Sequence, residues 1–404
     1  MLARPPAPDR RLQLLGGLTP REFMRRHWQR RPLLVRSGIG SIVPPISRSE
    51  LFALAARDDV ESRVVRVRNK RDWSMTHGPI ARSKLPPLRQ PGWTLLVQGV
   101  DLHHDAARSL MQQFRFVPDA RLDDLMISWA SHDGGVGAHV DSYDVFLLQA
   151  SGRRRWRIAR DFSSALDPRA PLKVLRRFVG EQEYLLEPGD LLYLPPNWAH
   201  EGVAVGGDCM TCSIGMRAPQ RGALAGELVQ RMAEVYDDAE LYRDAGQGAT
   251  STPAAIPPAL GRFAGDAVRR LVSRPGGVAR ALGEVLSEPK PQVWFEKRTT
   301  PWRQRGVTLD RRTRMLYDAR YVFVNGESVP VRGKDLALLR RLADQRALEG
   351  RAVRGASRGV RSLLAEWFAA GWVHERFVNG PAPLAASHAR PGRARRRTER
   401  LPRA

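Results

Sequence analysis

The stretch from Leu125 to Met216 constrains the fold more than any other part of the chain. It contains LMISWAS, DVFLLQ, RRWRIA, EYLLEPGDLLYLP, HEGVAV and CMTCSIGM, apolar-rich runs of strand length joined mostly by short connections. Runs of this kind suit strands, and short connections make successive strands antiparallel neighbours. The pattern predicts an antiparallel double-sheet barrel or jelly roll. Upstream, PLLVRS, RVVRV, WSMTH and WTLLVQGV add β-like runs between 31 and 103, followed by a helical piece from Asp105 to Phe114.

The texture changes after Arg217. RGALAGELVQRMAEVY and GRFAGDAVRRLVSR have apolar residues at helical spacing, separated by the linker GQGATSTPAAIPP. MLYDARYVFVNGESVPV predicts a hairpin turning at Asn325-Gly326, with helical KDLALLRRLAD and GVRSLLAEWFAAGWVHERFV after it. Helices with such a wing predict a winged-helix module, a fold that binds DNA or protein and does not fix function. The expected class is mostly β with α: a double-stranded β-helix (cupin or jelly roll) over 1–217, a helical segment over 218–300 and a winged-helix-like domain over 301–380. The helical segment is expected to pair with a second copy, giving a homodimer. A length of 404 residues accommodates several domains.

Charge and cysteine usage narrow the function. The net charge is +24, yet it is unevenly spread. ARPGRARRRTERLPRA, at the C-terminus, carries seven arginines against one glutamate, which predicts a disordered basic tail over 381–404 that could touch ribosomal RNA. By contrast, 121–144 holds one arginine against five aspartates. No apolar run approaches the roughly 18 residues of a membrane span, and no leader pattern is present, so the expected location is cytoplasmic with no membrane partner. Cys209 and Cys212 sit three apart on a predicted strand, on opposite faces and too far apart for a disulfide.

The acidic spot contains GVGAHVDSYD, in which His139 and Asp141 are two apart. In extended chain both side chains share a face, which suits two ligands of one ion. A third ligand is offered by PGDLLYLPPNWAHEG: after a stiff Pro-Pro corner, His200 opens the next run. Two histidines and one carboxylate on one side of an ion leave positions free, as in non-haem Fe(II) oxygenases. The remaining seven histidines have no comparable setting and are assigned surface or packing roles.

With those residues in view, the chain from about Leu15 to Pro219 resembles the JmjC-type 2-oxoglutarate oxygenases. FRFVPDARLDDLMIS, GGVGAHVDSYDVFLLQASGRRRWRI and LEPGDLLYLPPNWAHEGVAV resemble the bacterial ribosomal oxygenases, including those that hydroxylate an arginine at Cβ in the sixteenth large-subunit ribosomal protein. The resemblance extends over the helical segment and winged helix. It implies Fe(II) held by His139, Asp141 and His200, 2-oxoglutarate as cosubstrate, Ser128 as a cosubstrate contact and a large-subunit ribosomal protein as partner.

A 2-oxoglutarate enzyme needs a cation for the far carboxylate, and strand parity selects one. A two-residue turn at Ser151-Gly152 would set Gln149 opposite Arg154 and Leu147 opposite Trp156. Arg154 then lies on the apolar face, while Arg153, Arg155 and Arg157 point to solvent. The family pattern implies the same arginine. Reach adds a further condition: Ser142 to Asp144 must bend, because eight extended residues from Asp141 to Gln149 would span about 26 Å.

For a cationic substrate side chain, Asp133 and Asp144 are candidate carboxylates and Tyr143 a candidate stacking surface. The aspartates could equally be turn formers. Two other functions fit parts of the sequence: the same chemistry on RNA, or a non-enzymatic metal-binding cupin fused to a DNA-binding winged helix. Turnover of 2-oxoglutarate and the identity of the modified molecule separate them.

Overall fold

A computed structural model describes residues 5–69 and 72–376. Its largest unit is one sheet built from β1 (Leu33–Val35), β2 (Ser62–Arg68), β3 (Asp72–His77), β4 (Trp93–Val97), β5 (Leu122–Ala130), β6 (His139–Val140), β7 (Val145–Ala159), β8 (Gln182–Leu186), β9 (Leu191–Leu194) and β10 (Ala199–Met216). Eight strands run in the order β1-β9-β7-β10-β5-β4-β2-β3, with β6 paired to β10 and β8 to β7. Every pairing within it is antiparallel. Helices α1 (Pro20–Arg26), α2 (Arg48–Ala55) and α3 (Asp105–Gln112) cover one face. Phe23, Phe52, Trp93, Phe114, Trp129, Phe146 and Tyr193 are buried there. Thr19 and Ser47 start α1 and α2 with capping boxes that satisfy their first amides.

The expected strands occur with one correction. DVFLLQ and RRWRIA form a single strand, β7, and HEGVAV and CMTCSIGM form a single strand, β10. There is no hairpin at Ser151-Gly152. β7 instead bulges there: its register with β10 shifts between Val205 and Met210 and again between Met210 and Thr211. Gly152 adopts φ +63°, and a Cβ on it would lie 2.9 Å from Cys209 Cα. A bulge changes parity by one residue, as the expected turn would have done. Arg154, Trp156 and Ile158 therefore do point inward, and Trp156 and Ile158 share a cluster with Val145 and Leu147, while Arg153 and Arg155 are exposed.

Beyond the sheet, α4 (Arg221–Ala233), α5 (Pro258–Val272) and α6 (Gly277–Ser287) meet around Met232, Leu271 and Ala281. The C-terminal unit contains β11 (Gly306–Leu309), β12 (Met315–Tyr317), β13 (Tyr321–Val324), β14 (Glu327–Pro330), α7 (Gly333–Gln345), β15 (Ala347–Glu349), α8 (Gly350–Arg354), α9 (Arg358–Ala369) and β16 (Val373–Glu375). Asn325 and Gly326 turn the β13–β14 hairpin with φ of 50° and 90°, the left-handed pair that a two-residue loop needs. Leu339, Leu342, Leu364, Trp367 and Phe368 fill its separate core. Among the described residues, no helix is long and apolar enough to cross a membrane. Cys209 and Cys212 are both buried and unpaired on β10. The arginine-rich tail lies outside the described residues.

Candidate metal centre

Three elements deliver the ligand-type side chains. Gly137, at φ +77°, turns the chain into β6, and a Cβ there would meet Val174 at 2.9 Å. β6 then pairs with the start of β10, placing His139 opposite His200. Their rings are 4.2 Å apart between centroids. The chain bends at Ser142–Tyr143, as reach required. Behind it, the amide of Asn197, in the Pro-Pro corner, donates to the Asp141 carbonyl at 2.9 Å.

The carboxylate of Asp141 lies between the two imidazoles, 3.9 Å from His139 Nε2 and 3.6 Å from His200 Nε2. One donor atom from each of the three residues falls within 4.8 Å of the others. Each histidine also has an orienting partner: His139 Nδ1 lies 3.0 Å from the Gly137 carbonyl, and His200 Nδ1 lies 3.0 Å from the Trp198 carbonyl. A proton held on Nδ1 by a carbonyl leaves the Nε2 lone pair for an ion. Burial, reinforced by His139, pushes the His200 imidazole down to about 4, so it is neutral near pH 7. The donor set and its geometry fit a divalent cation.

Arg154 occupies the same face further along. It is 3 % exposed, and among the described residues its guanidinium makes one hydrogen bond, a long contact from Nη1 to the Gly202 carbonyl at 3.5 Å. Nε and Nη2 are buried without partners among the described residues. A buried guanidinium in this state fits a carboxylate supplied by a ligand. The Trp156 ring bridges the two parts of the site, 5.9 Å from the His200 ring and 5.8 Å from Arg154 Cζ. Arg154 pairs with Ala204, four residues from His200 on β10. That separation, roughly 13 Å along a strand, suits a short diacid extended toward a guanidinium side chain.

The other expected residues fare differently. Ser128 is buried on β5, in register with Thr211 of β10. Tyr143 is 39 % exposed, and burial of its hydroxyl beside Asp141 raises its pKa. Asp133 is exposed at φ +57°, with His132 3.5 Å away, a turn-forming position. Asp144 corrects the expectation of an accessible carboxylate. It is fully buried and accepts from Tyr193 Oη at 2.6 Å, Gln29 Nε2 at 3.0 Å and Arg121 Nη2 at 3.3 Å. The bend at Ser142–Tyr143 turns it away from Asp141 and into the packing.

Sequence reasoning missed Gly202. A Cβ there would lie 2.7 Å from the Trp156 ring, so this glycine makes room for the residue between Arg154 and His200. A lone glycine in a strand run was the only available signal.

An antiparallel β sheet carrying a His-Asp-His triad beside a buried arginine with two unpartnered nitrogens defines a JmjC-type oxygenase site. The JmjC domain family model matches residues 109–224, and the ROXA-like winged helix model matches 270–374. The ribosomal protein uL16 3-hydroxylase of Escherichia coli is 35 % identical over 277 residues, which is 67 % of this chain and 72 % of that protein. The X-ray structure of E. coli ycfD superposes with a TM-score of 0.78 at 30 % identity, covering 88 % of this chain and 98 % of that one. YcfD, a ribosomal oxygenase from E. coli, in complex with cobalt and 2-oxoglutarate, superposes with a TM-score of 0.75 at 29 % identity and the same coverage. The chain belongs to the ribosomal oxygenase family and is a 2-oxoglutarate-dependent dioxygenase. That membership removes the non-enzymatic regulator from consideration.

Proposed function

We propose that this enzyme hydroxylates an arginine side chain at Cβ in a large-subunit ribosomal protein, the sixteenth being the first candidate, in the cytoplasm. Arg154 carries the reading: a buried guanidinium beside a His-Asp-His set makes sense when a dicarboxylate spans from the ion to the arginine. His139, Asp141 and His200 would hold Fe(II), and Arg154 with Ser128 would hold 2-oxoglutarate. Fe(II) and 2-oxoglutarate, when bound, supply the oxidising power: one atom of O2 enters the substrate C–H bond and the other leaves in succinate, with carbon dioxide released.

The chain's own residues bind, orient and exclude water. The Gly137 and Trp198 carbonyls fix the ring orientations of His139 and His200. Trp156, 5 % exposed, forms an apolar wall between ion and guanidinium, where Arg154 attracts a carboxylate strongly because little water competes. Asp133 and Tyr143, both exposed, would receive the cationic substrate side chain. Asp144 serves this surface indirectly, by anchoring the segment that carries Tyr143 to Tyr193 and Arg121.

A homodimer is part of the same reading. Val229 on α4, Leu260, Val268 and Val272 on α5 and Val278 on α6 are large apolar side chains left exposed, an arrangement that a second copy would cover. The C-terminal arginines would add a non-specific contact to ribosomal RNA.

The test is incubation of purified enzyme, Fe(II) and 2-oxoglutarate with large ribosomal subunits from cells lacking the gene. The expected result is a mass increase of one oxygen atom on one ribosomal protein, localised to an arginine. Modification of RNA with no protein change would overturn the assignment.

A further inference from the structure

A second, separate cavity lies where the winged helix meets the catalytic sheet. A cavity of about 50 Å3 sits there, lined by seven cationic side chains and three carboxylates. That is several times the roughly 10–15 Å3 one water needs. Five of the cations are matched. Arg108 pairs with Asp101 and Arg115 with Asp119, while Lys290 lies 3.3 Å from both Asp123 and Asp124. Arg311 pairs with Asp105 and Arg312 with Asp310, neither acid being among the lining residues.

The other two, Arg314 and Arg346, form no ion pair among the described residues. Arg314 makes one long contact, from Nη2 to the Leu122 carbonyl at 3.4 Å. Arg346 is 6 % exposed and donates only to the carbonyls of Asp310 and Thr313. Burial pushes Arg314 down to about 10, with Arg217 adding to the shift, and burial beside Arg108 and Arg115 pushes Arg346 down as well. Nε of Arg108 is also buried without a partner. Excess positive charge held in a cavity favours an anion with several acceptor oxygens.

We propose that this cavity is a binding site for a phosphate-type oxyanion, contacted by Arg108 from the catalytic unit and by Arg314 and Arg346 from the winged helix. The anion thereby clamps the two units together. Arg115 already spans the junction without it, donating to the carbonyls of Ala343 and Asp344. The site is distinct from the metal centre, and its occupancy does not depend on the reaction proposed there. The phosphate could be inorganic or could belong to a nucleotide.

Calorimetric titration of the full-length protein with inorganic phosphate, and separately with adenosine monophosphate, tests the proposal. Chloride keeps the ionic strength constant. The expected result is saturable binding of one equivalent per chain, with a rise in unfolding temperature. The tighter ligand identifies the source of the phosphate. Arg314→Met is expected to weaken binding about tenfold or more, the loss of one charge-assisted contact. Arg108→Gln, on the opposite wall, should do the same if Arg314→Met fails to fold. Arg154→Met should leave phosphate binding unchanged, separating this cavity from the barrel. No saturable binding of either ligand, or equal binding by wild type and both cavity variants, would overturn it.

Discussion

At the residue scale, the proposed chemistry turns on Arg154. Its Nε and Nη2 have no partner among the described residues, so a ligand carboxylate that meets them gains contacts those residues do not supply. Arg154→Met should weaken 2-oxoglutarate binding by about 10- to 100-fold, since hydrogen bonds to charged groups contribute roughly 1.5–3 kcal/mol; fluorescence titration measures it. Metal content should be unchanged, whereas His200→Ala should lose the ion, as elemental analysis reads. Asp124 makes a pH prediction. Burial raises its carboxyl from 3.8 to about 6, although Lys290 pulls the other way. A raised folded-state pKa means that this residue's contribution to stability is fully present below about pH 4 and is lost as pH rises through about 6. Denaturation of Asp124→Asn across pH 4–7 should show a flatter pH dependence than wild type.

At the element scale, the strands explain why so much of the site was legible and where legibility stopped. His139 and Asp141 declared themselves because alternate residues of extended chain share a face, and His200 because prolines and a glycine bracket its run. Arg154 was placed inward by assuming a hairpin, and it is inward because β7 bulges at Gly152; both devices shift parity by one residue. Sequence could not separate them, since a glycine after a serine marks a turn and a bulge alike. Asp144 was misread for another reason. Its partners Gln29, Arg121 and Tyr193 are scattered along the chain, and only the fold brings them together. The bulge has a testable consequence. Gly152→Ala forces a side chain onto a left-handed residue packed against Cys209, and should destabilise the fold by about 1–3 kcal/mol. Denaturant unfolding would measure the loss, and 2-oxoglutarate affinity should fall with it as Arg154 shifts.

At the scale of the whole molecule, the catalytic sheet, the helices and the winged helix have separate cores; Arg311 of the winged helix pairs with Asp105 of α3, and Lys290 pairs with Asp123 and Asp124 of β5. Apolar residues are left exposed on α4, α5 and α6; if the proposed dimer forms there, Val268→Glu should convert it to a monomer in sedimentation, without altering 2-oxoglutarate binding. The central claim is narrower: His139, Asp141, His200 and Arg154 act as one site for an ion and a dicarboxylate. Anaerobic calorimetry of 2-oxoglutarate binding, with and without Fe(II), addresses it directly. One equivalent should bind per chain when Fe(II) is present, and binding should be much weaker when the ion is withheld or Arg154 is replaced by Met. Equal affinity in all three conditions would contradict it.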